Sequence, residues 1–551
     1  LTQGIEVSTI NSSQTGLIVD ALVARDAVSV IAGHMRFALI CCCVLTVMIG
    51  GCSTQPSAPP ENGDKPTPPA EKAAPHRAAA TFDLGQVKRF VPRVVAITGS
   101  PIDGQGVPIR EISDWSLNDR GQLSIITGPD LYVIDGKRMD HLMRRRKSGP
   151  HSDRKVRQFF GCKLNDHGAA LVRVAQDEPS GSRLFLVDAK EVRPVPQTAP
   201  LPLDYSGSES LMGSQGHIAF VSHESDPRVK PDLFLSDGIR TAACASAHND
   251  PFDPERRFRG FGRLLALNAR GQLLFEASIR KDEAGPTDNE RLCLYTPALT
   301  ADGKLKMVGE SLQGEIRELA RLGEALPGTD WTVSRNGFDW DGVGLSDSGD
   351  VVFGAAESDG MDVGSRCVAV LRHGSTQWEM LLKSDQPFGE PPQDIHFISL
   401  PSLNARGQVA CVVRTLNRQT GEFSEQLIRI EQDGKRVVLA RRGSGLEPGL
   451  TIETISAPQI LADGKVVFDA ALRTADSAYS TDSGLVVADD TRQRLILRES
   501  TLPVPDSQQP KIVEFRVNDR GQMGVHVEGD GFDDALLLVT PEFSSSANQR
   551  E

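Results

Sequence analysis

Aromatic residues make up only 5% of this 551-residue chain, and its cysteines number nine. No Cys-x-x-Cys pair occurs, which excludes zinc-ribbon and thioredoxin-type chemistry. A nucleophile elbow, a phosphate-cradling glycine loop and a zinc-protease helix are also missing. Active sites can be assembled from single residues far apart in a sequence, however, so missing local motifs do not by themselves exclude catalysis. Positive charge is in short supply: the net charge is −13, the opposite of the basic footprint that nucleic-acid binding needs. The one long apolar run, Phe37 to Ile49, has 13 residues, too few to cross a bilayer of roughly 30 Å as a helix.

What is abundant is glycine and proline, 85 residues together, the balance of many short strands joined by tight turns. The N-terminal region reads as an address. Met35 and Arg36 open an apolar stretch that closes on Ile49-Gly50-Gly51-Cys52. That order of basic, apolar and small residues is a secretion signal over 35–51. Residues 1–34, which contain no Met, are expected to be an upstream extension outside the folded protein. The Ile-Gly-Gly-Cys segment resembles the lipobox of bacterial lipoproteins. The resemblance implies cleavage before Cys52 and a diacylglycerol thioether on its sulfur. Acyl chains contribute about 0.8 kcal/mol per buried methylene, so the implied anchor is firm. Ser53 in place of an aspartate favours the outer membrane, facing periplasm or cell surface. Residues 52–81 are rich in Pro and Ala and have almost nothing large and apolar, so they read as an extended tether.

From residue 82 to 541 a short polar turn ending in glycine recurs eight times, each followed by a strand-like apolar run. The first copy is Leu117-Asn118-Asp119-Arg120-Gly121-Gln122 and the last Val517-Asn518-Asp519-Arg520-Gly521-Gln522. The turn glycines are Gly121, Gly168, Gly216, Gly271, Gly349, Gly407, Gly464 and Gly521. Asparagine accepts a backbone hydrogen bond two residues on, and glycine takes the left-handed position that closes a bulged hairpin. Gly213, Ser346 and Leu461 stand where the other five copies have Asn. The pattern resembles the tandem Asn-x-x-Gly-x-x-Ala-Phe repeat of exported bacterial proteins, best kept at Ile218-Ala219-Phe220. That resemblance implies a repeat architecture and no shared catalytic residues.

Units of about 45–58 residues with three or four strands fit propeller blades, and ring closure removes exposed sheet edges. The expectation is an all-β propeller of seven or eight blades, with a β-solenoid-like array as the alternative. The longest interval, from Gly271 to Gly349, calls for an insertion around Ala301-Asp302-Gly303-Lys304 or conceals a ninth unit. Residues 542–551 are expected to be a disordered tail.

Candidate chemistry beyond Cys52 is thin. Lys137 to Arg157 is a basic run in an acidic protein; it reads as a solvated loop, with lipid or polysaccharide phosphate as the functional alternative. Asp339-Trp340-Asp341-Gly342 and Asp530-Gly531-Phe532-Asp533-Asp534 carry oxygen ligands, but neither completes a calcium loop and both read as structural turns. His217 and His223 lack a third ligand, so no metal and no cofactor are expected. The five cysteines after Cys52 fall in apolar runs and read as small core residues. The expected function is a lipid-anchored, non-catalytic binding or scaffold module for an envelope protein or glycan, with no nucleic-acid partner. The alternative is a polysaccharide hydrolase or lyase with acidic residues at a central channel.

Overall fold

The computed structural model describes residues 82–544, less internal segments of which the longest are 145–155, 197–209, 223–231, 247–257, 280–289, 334–341 and 357–365. Residues 1–81, with Cys52, the leader and the tether, lie outside the described part. So do Asp339 to Asp341, Gly531 and His223.

Eight antiparallel sheets of at least four strands follow one another along the chain. Blade 1 is representative: Asp114–Leu117, Leu123–Thr127, Asp130–Asp135 and Arg138–Arg144 pair in sequence order. The inner strands of blades 2 to 8 begin at Val156, Leu211, Phe258, Gly344, Gln393, Leu450 and Lys511. In blade 6 the inner edge is split into Gln393–Ile398 and Ser402–Leu403, both paired with Val409–Leu416.

Packing explains why the second and third strands of each blade read as nearly unbroken apolar runs. Each lies between two neighbouring blades, so both of its faces are buried. Val351 and Phe353 point into the seam with blade 4, and Val352, between them, into the seam with blade 6. Eight separate hydrophobic clusters result, one per seam. Cys162, Cys293, Cys367 and Cys411 pack inside them, and burial pushes the thiols of Cys162 and Cys411 up to about 12.

The eighth seam decides between ring and solenoid. Leu536 and Leu538 of blade 8 pack with Trp115, Leu123 and Ile125 of blade 1. The first strand of the body, Val87–Ile97, forms the outer edge of blade 8, with Val87 opposite Phe543 and Ile97 opposite Ala535. The protein is therefore an all-β, eight-bladed propeller closed by its own N-terminal strand. Just before that strand, Phe82 and Leu84 are buried in the seam of blades 7 and 8. Arg494 holds them there, donating to the carbonyls of Leu84, Val87 and Lys88.

Among the described residues the long interval contains no ninth blade. Blade 4 takes its fourth strand, Gly314–Arg321, directly against Glu290–Pro297. The extra residues form a small hairpin, Met307–Val308 with Ser311–Leu312, and a connection in which Trp331 is fully buried. At the C-terminus the last strand reaches Phe543, two residues beyond the expected end of the body.

Candidate functional site at the channel mouth

In every blade the inner strand turns back through the repeated motif. All eight turns have the same backbone closure, the glycine amide bonding to the carbonyl three residues earlier at 2.9–3.1 Å. The eight glycines have φ between 70° and 94°, the left-handed half of a type I turn with a glycine bulge.

In four of the five turns that begin with asparagine, its side chain has two functions. Asn118 Oδ1 accepts the amides of Arg120 and Gln122 at 3.1 and 2.9 Å, which fixes its own turn. Its Nδ2 donates to the Asn165 carbonyl of blade 2 at 2.8 Å. The same outward bond joins Asn268 to Ser346, Asn404 to Leu461, and Asn518 to Asn118 across the closing seam. These four asparagines are almost wholly buried, so each bond replaces water that the amide cannot reach.

The next turn residue is aspartate in blades 1, 2, 5 and 8. Asp166 accepts the amide of Asp119 at 3.0 Å, Asp347 that of Ala269 at 2.9 Å, and Asp519 that of Ala462 at 2.8 Å. Asp119 takes the amide of Asp519. Each carboxylate thus receives the turn of the preceding blade. They also repel one another: Asp347, four blades from Asp119, acts on both Asp119 and Asp519. Surrounding protein, then Asp166, Asp519 and Asp347, push the Asp119 carboxyl up to about 7, although much of its side chain stays open to water. Asp519 is raised as well, chiefly by burial. A carboxyl that exchanges its proton near neutrality can act in acid–base chemistry.

At the seam of blades 1 and 2, on the same side as these turns, lies a cleft of about 280 Å³. Val133, Leu142 and Gly168 line it together with charged groups of both signs from the two blades.

The other described residues singled out in the sequence serve separate places in the blades. Of the basic run, Arg138–Arg144 is the outer strand of blade 1, where Arg138 pairs with Asp140 at 2.9 Å and Arg144 and His141 with Asp130 at 2.8 and 2.9 Å, and Arg157 lies in the inner strand of blade 2. Asp534 serves the closing seam, bonding His526 at 2.8 Å while its own amide and carbonyl pair with Thr98. His217 occupies the position that holds Gln in four other turns. It is buried against Gly271, which holds its imidazole below the ordinary histidine range. Among the described residues no three His, Cys, Asp or Glu side chains are placed to hold a metal.

The class the fold defines is an eight-bladed β-propeller with velcro closure. Residues 295–534 match the model of a "Family of unknown function (DUF7453)". No curated protein sequence matches this chain. Among solved structures, the Dos1 propeller is similar at 10% identity with a TM-score of 0.38, over 83% of this chain and 96% of that one. The β-propeller domain of the Trilobed protease from Pyrococcus furiosus aligns at 10% identity and TM-score 0.36, over 79% and 96%. The Pyrococcus horikoshii acylaminoacyl peptidase aligns at 11% identity and TM-score 0.34, over 69% of this chain and 51% of its own length.

Proposed function

We propose that the chain is an exported bacterial lipoprotein, anchored through Cys52 and built from tandem repeats, whose propeller is a non-catalytic binding or scaffold module for an envelope protein or glycan. The observation that carries this reading is the use made of the channel-mouth carboxylates. These are the groups a hydrolase would aim at a substrate, and here each accepts the amide of the preceding blade. They hold the ring together, which leaves the surface grooves between blades as the places for a partner. The lipobox-like Ile49-Gly50-Gly51-Cys52 and the Pro/Ala-rich stretch after it support presentation at the end of a tether, with the outer membrane as the proposed site.

Cross-linking in the native envelope, followed by mass spectrometry, tests both parts. The expected result is a diacylglyceryl group on Cys52 and one stoichiometric protein or glycan partner. An unmodified Cys52 would remove the anchor, and recovery of the protein alone would remove the binding role.

A second reading has one observation in its favour. Asp119, its carboxyl pushed up to about 7 and facing the carboxyls of Asp166 and Asp519, has the character of a general acid. In that reading the mouth cleaves an extracellular polysaccharide, and Asp119→Asn abolishes release of reducing ends while leaving polymer binding in place.

A further inference from the structure

We propose that the cleft between blades 1 and 2 binds a single neutral sugar residue, free or as one unit of a longer glycan. The inference rests on the binding-module reading and names the chemistry of its ligand.

The cleft is built from both blades. Blade 1 contributes the end of its third strand and its outer strand, and blade 2 contributes its motif turn and the Asp188-Ala189-Lys190 turn. Its apolar part is small and aliphatic: Val133 is buried, Leu142 is half-buried, and Gly168 adds no side chain. Among the described residues no aromatic ring lines it apart from the imidazole of His167, so a flat stacked base or drug-like ring finds no platform there. A pyranose offers an aliphatic C–H face of matching size.

The polar lining carries both signs. Asp135, Asp140 and Asp188 stand with Arg138 and Lys190, beside the His167 imidazole. The carboxylates already have internal partners: Asp135 takes the Gln122 amide at 2.9 Å, Asp140 takes Arg138 at 2.9 Å, and Asp188 caps its own turn through the amides of Lys190 and Glu191. Each of them keeps a further oxygen lone pair, and the Lys190 ammonium has no partner among the described residues. A small anion or cation would meet both signs at once and gain little. Hydroxyl groups suit such a lining, because each one donates to a carboxylate and accepts from a guanidinium or ammonium. At about 280 Å³ the space holds one sugar ring and not a folded peptide segment.

The test is saturation-transfer NMR on the full chain with glucose, galactose, mannose and N-acetylglucosamine, and with glutamate, lysine and inorganic phosphate as charged probes. At least one neutral sugar is expected to bind with Kd of about 1 mM. Ala189→Trp, at an exposed position on the rim, is expected to abolish the signal without lowering Tm. Asp140→Asn and Lys190→Ala are each expected to weaken it about fivefold, the loss of one hydrogen bond to a charged group. No neutral-sugar signal up to ~50 mM, binding to the charged probes alone, or a signal that survives Ala189→Trp would overturn the proposal. Envelope cross-linking with the Ala189→Trp protein separates the two levels. A partner retained by that variant leaves the binding module standing without this cleft, and no partner for either protein removes the module itself.

Discussion

Five blades begin their motif turn with asparagine and three do not, yet all eight turns close with the same backbone bond. The difference lies in the seam. Asn404 ties blade 6 to blade 7 through Nδ2, whereas Ser346 Oγ accepts the Asp350 amide at 2.9 Å and has no second arm for blade 6. Blade 5 makes that junction from another strand, with Arg372 donating to the Gly407 carbonyl at 2.7 Å. Blade 7, with Leu461, relies on Gln459, which donates to the Phe515 carbonyl and accepts the Val517 amide. It also relies on Phe82, wedged against Gly521 under the Lys465 ammonium. Blade 3 uses the smallest residue: a Cβ on Gly213 would sit 2.8 Å from the Asn268 carbonyl oxygen of blade 4. The motif's polar position is therefore a seam device, free to vary where another side chain carries the junction.

The largest expected effect comes from a residue both kinds of blade share. Gly407→Val puts a β-branched side chain at φ 70°, with its Cβ 2.5 Å from Asp350 Oδ2 and 2.9 Å from Arg372 Nη1. Left-handed strain and the clash together should cost about 3 kcal/mol or more, read from the urea midpoint. A midpoint equal to wild type would mean the turn is not held left-handed.

Next comes the comparison itself. Asn404→Ala removes two amide acceptor bonds and the bond to blade 7, at an expected cost of about 2–3 kcal/mol. Ser346→Ala removes the acceptor of a single amide and should cost about 1 kcal/mol. Equal losses would show that the inter-blade bond contributes nothing. Arg372→Ala sharpens this further: if Arg372 substitutes for the missing asparagine arm, its loss should cost about 1–2 kcal/mol, more than Ser346→Ala.

Those pairings show what one sequence can reveal. Eight glycine turns followed by apolar runs carry the propeller class, because blade strands buried on both faces leave a continuous apolar record. The blade count was open between seven and eight because the insertion in blade 4 breaks the spacing. The seam bonds were not legible. Nothing in the order of residues says that Asn518 meets Asn118, 400 positions away, until the ring is closed. The crowding of Asp119 was hidden for the same reason, since its neighbours come from blades 2, 5 and 8. The cleft needs turns of two blades side by side, and no local motif encodes that.

The smallest effect is electrostatic, and its sign follows from linkage. Asp119 titrates near 7 in the fold against 3.8 for the free side chain, so the folded state keeps a proton that the unfolded chain releases. The stability this gives is complete below pH 3.8 and disappears as pH rises through about 7. Asp519, also raised, adds to the same trend. Asp482 and Asp489 are lowered, mainly through hydrogen bonds that outweigh their burial, and they act oppositely, losing stability only in stronger acid. Between pH 4 and 7 the turn carboxylates therefore favour the acid side. Asp119→Asn keeps an oxygen for the Asp519 amide but cannot ionise. Its urea midpoint should change less between pH 5 and 7.5 than that of wild type, by under about 1 kcal/mol because channel water screens the site. The comparison is with Asp347→Asn. Asp347 lies in blade 5, away from the contiguous group of blades 8, 1 and 2, and should flatten the profile less. Identical profiles for both variants and wild type would mean that the four carboxylates do not share one mouth.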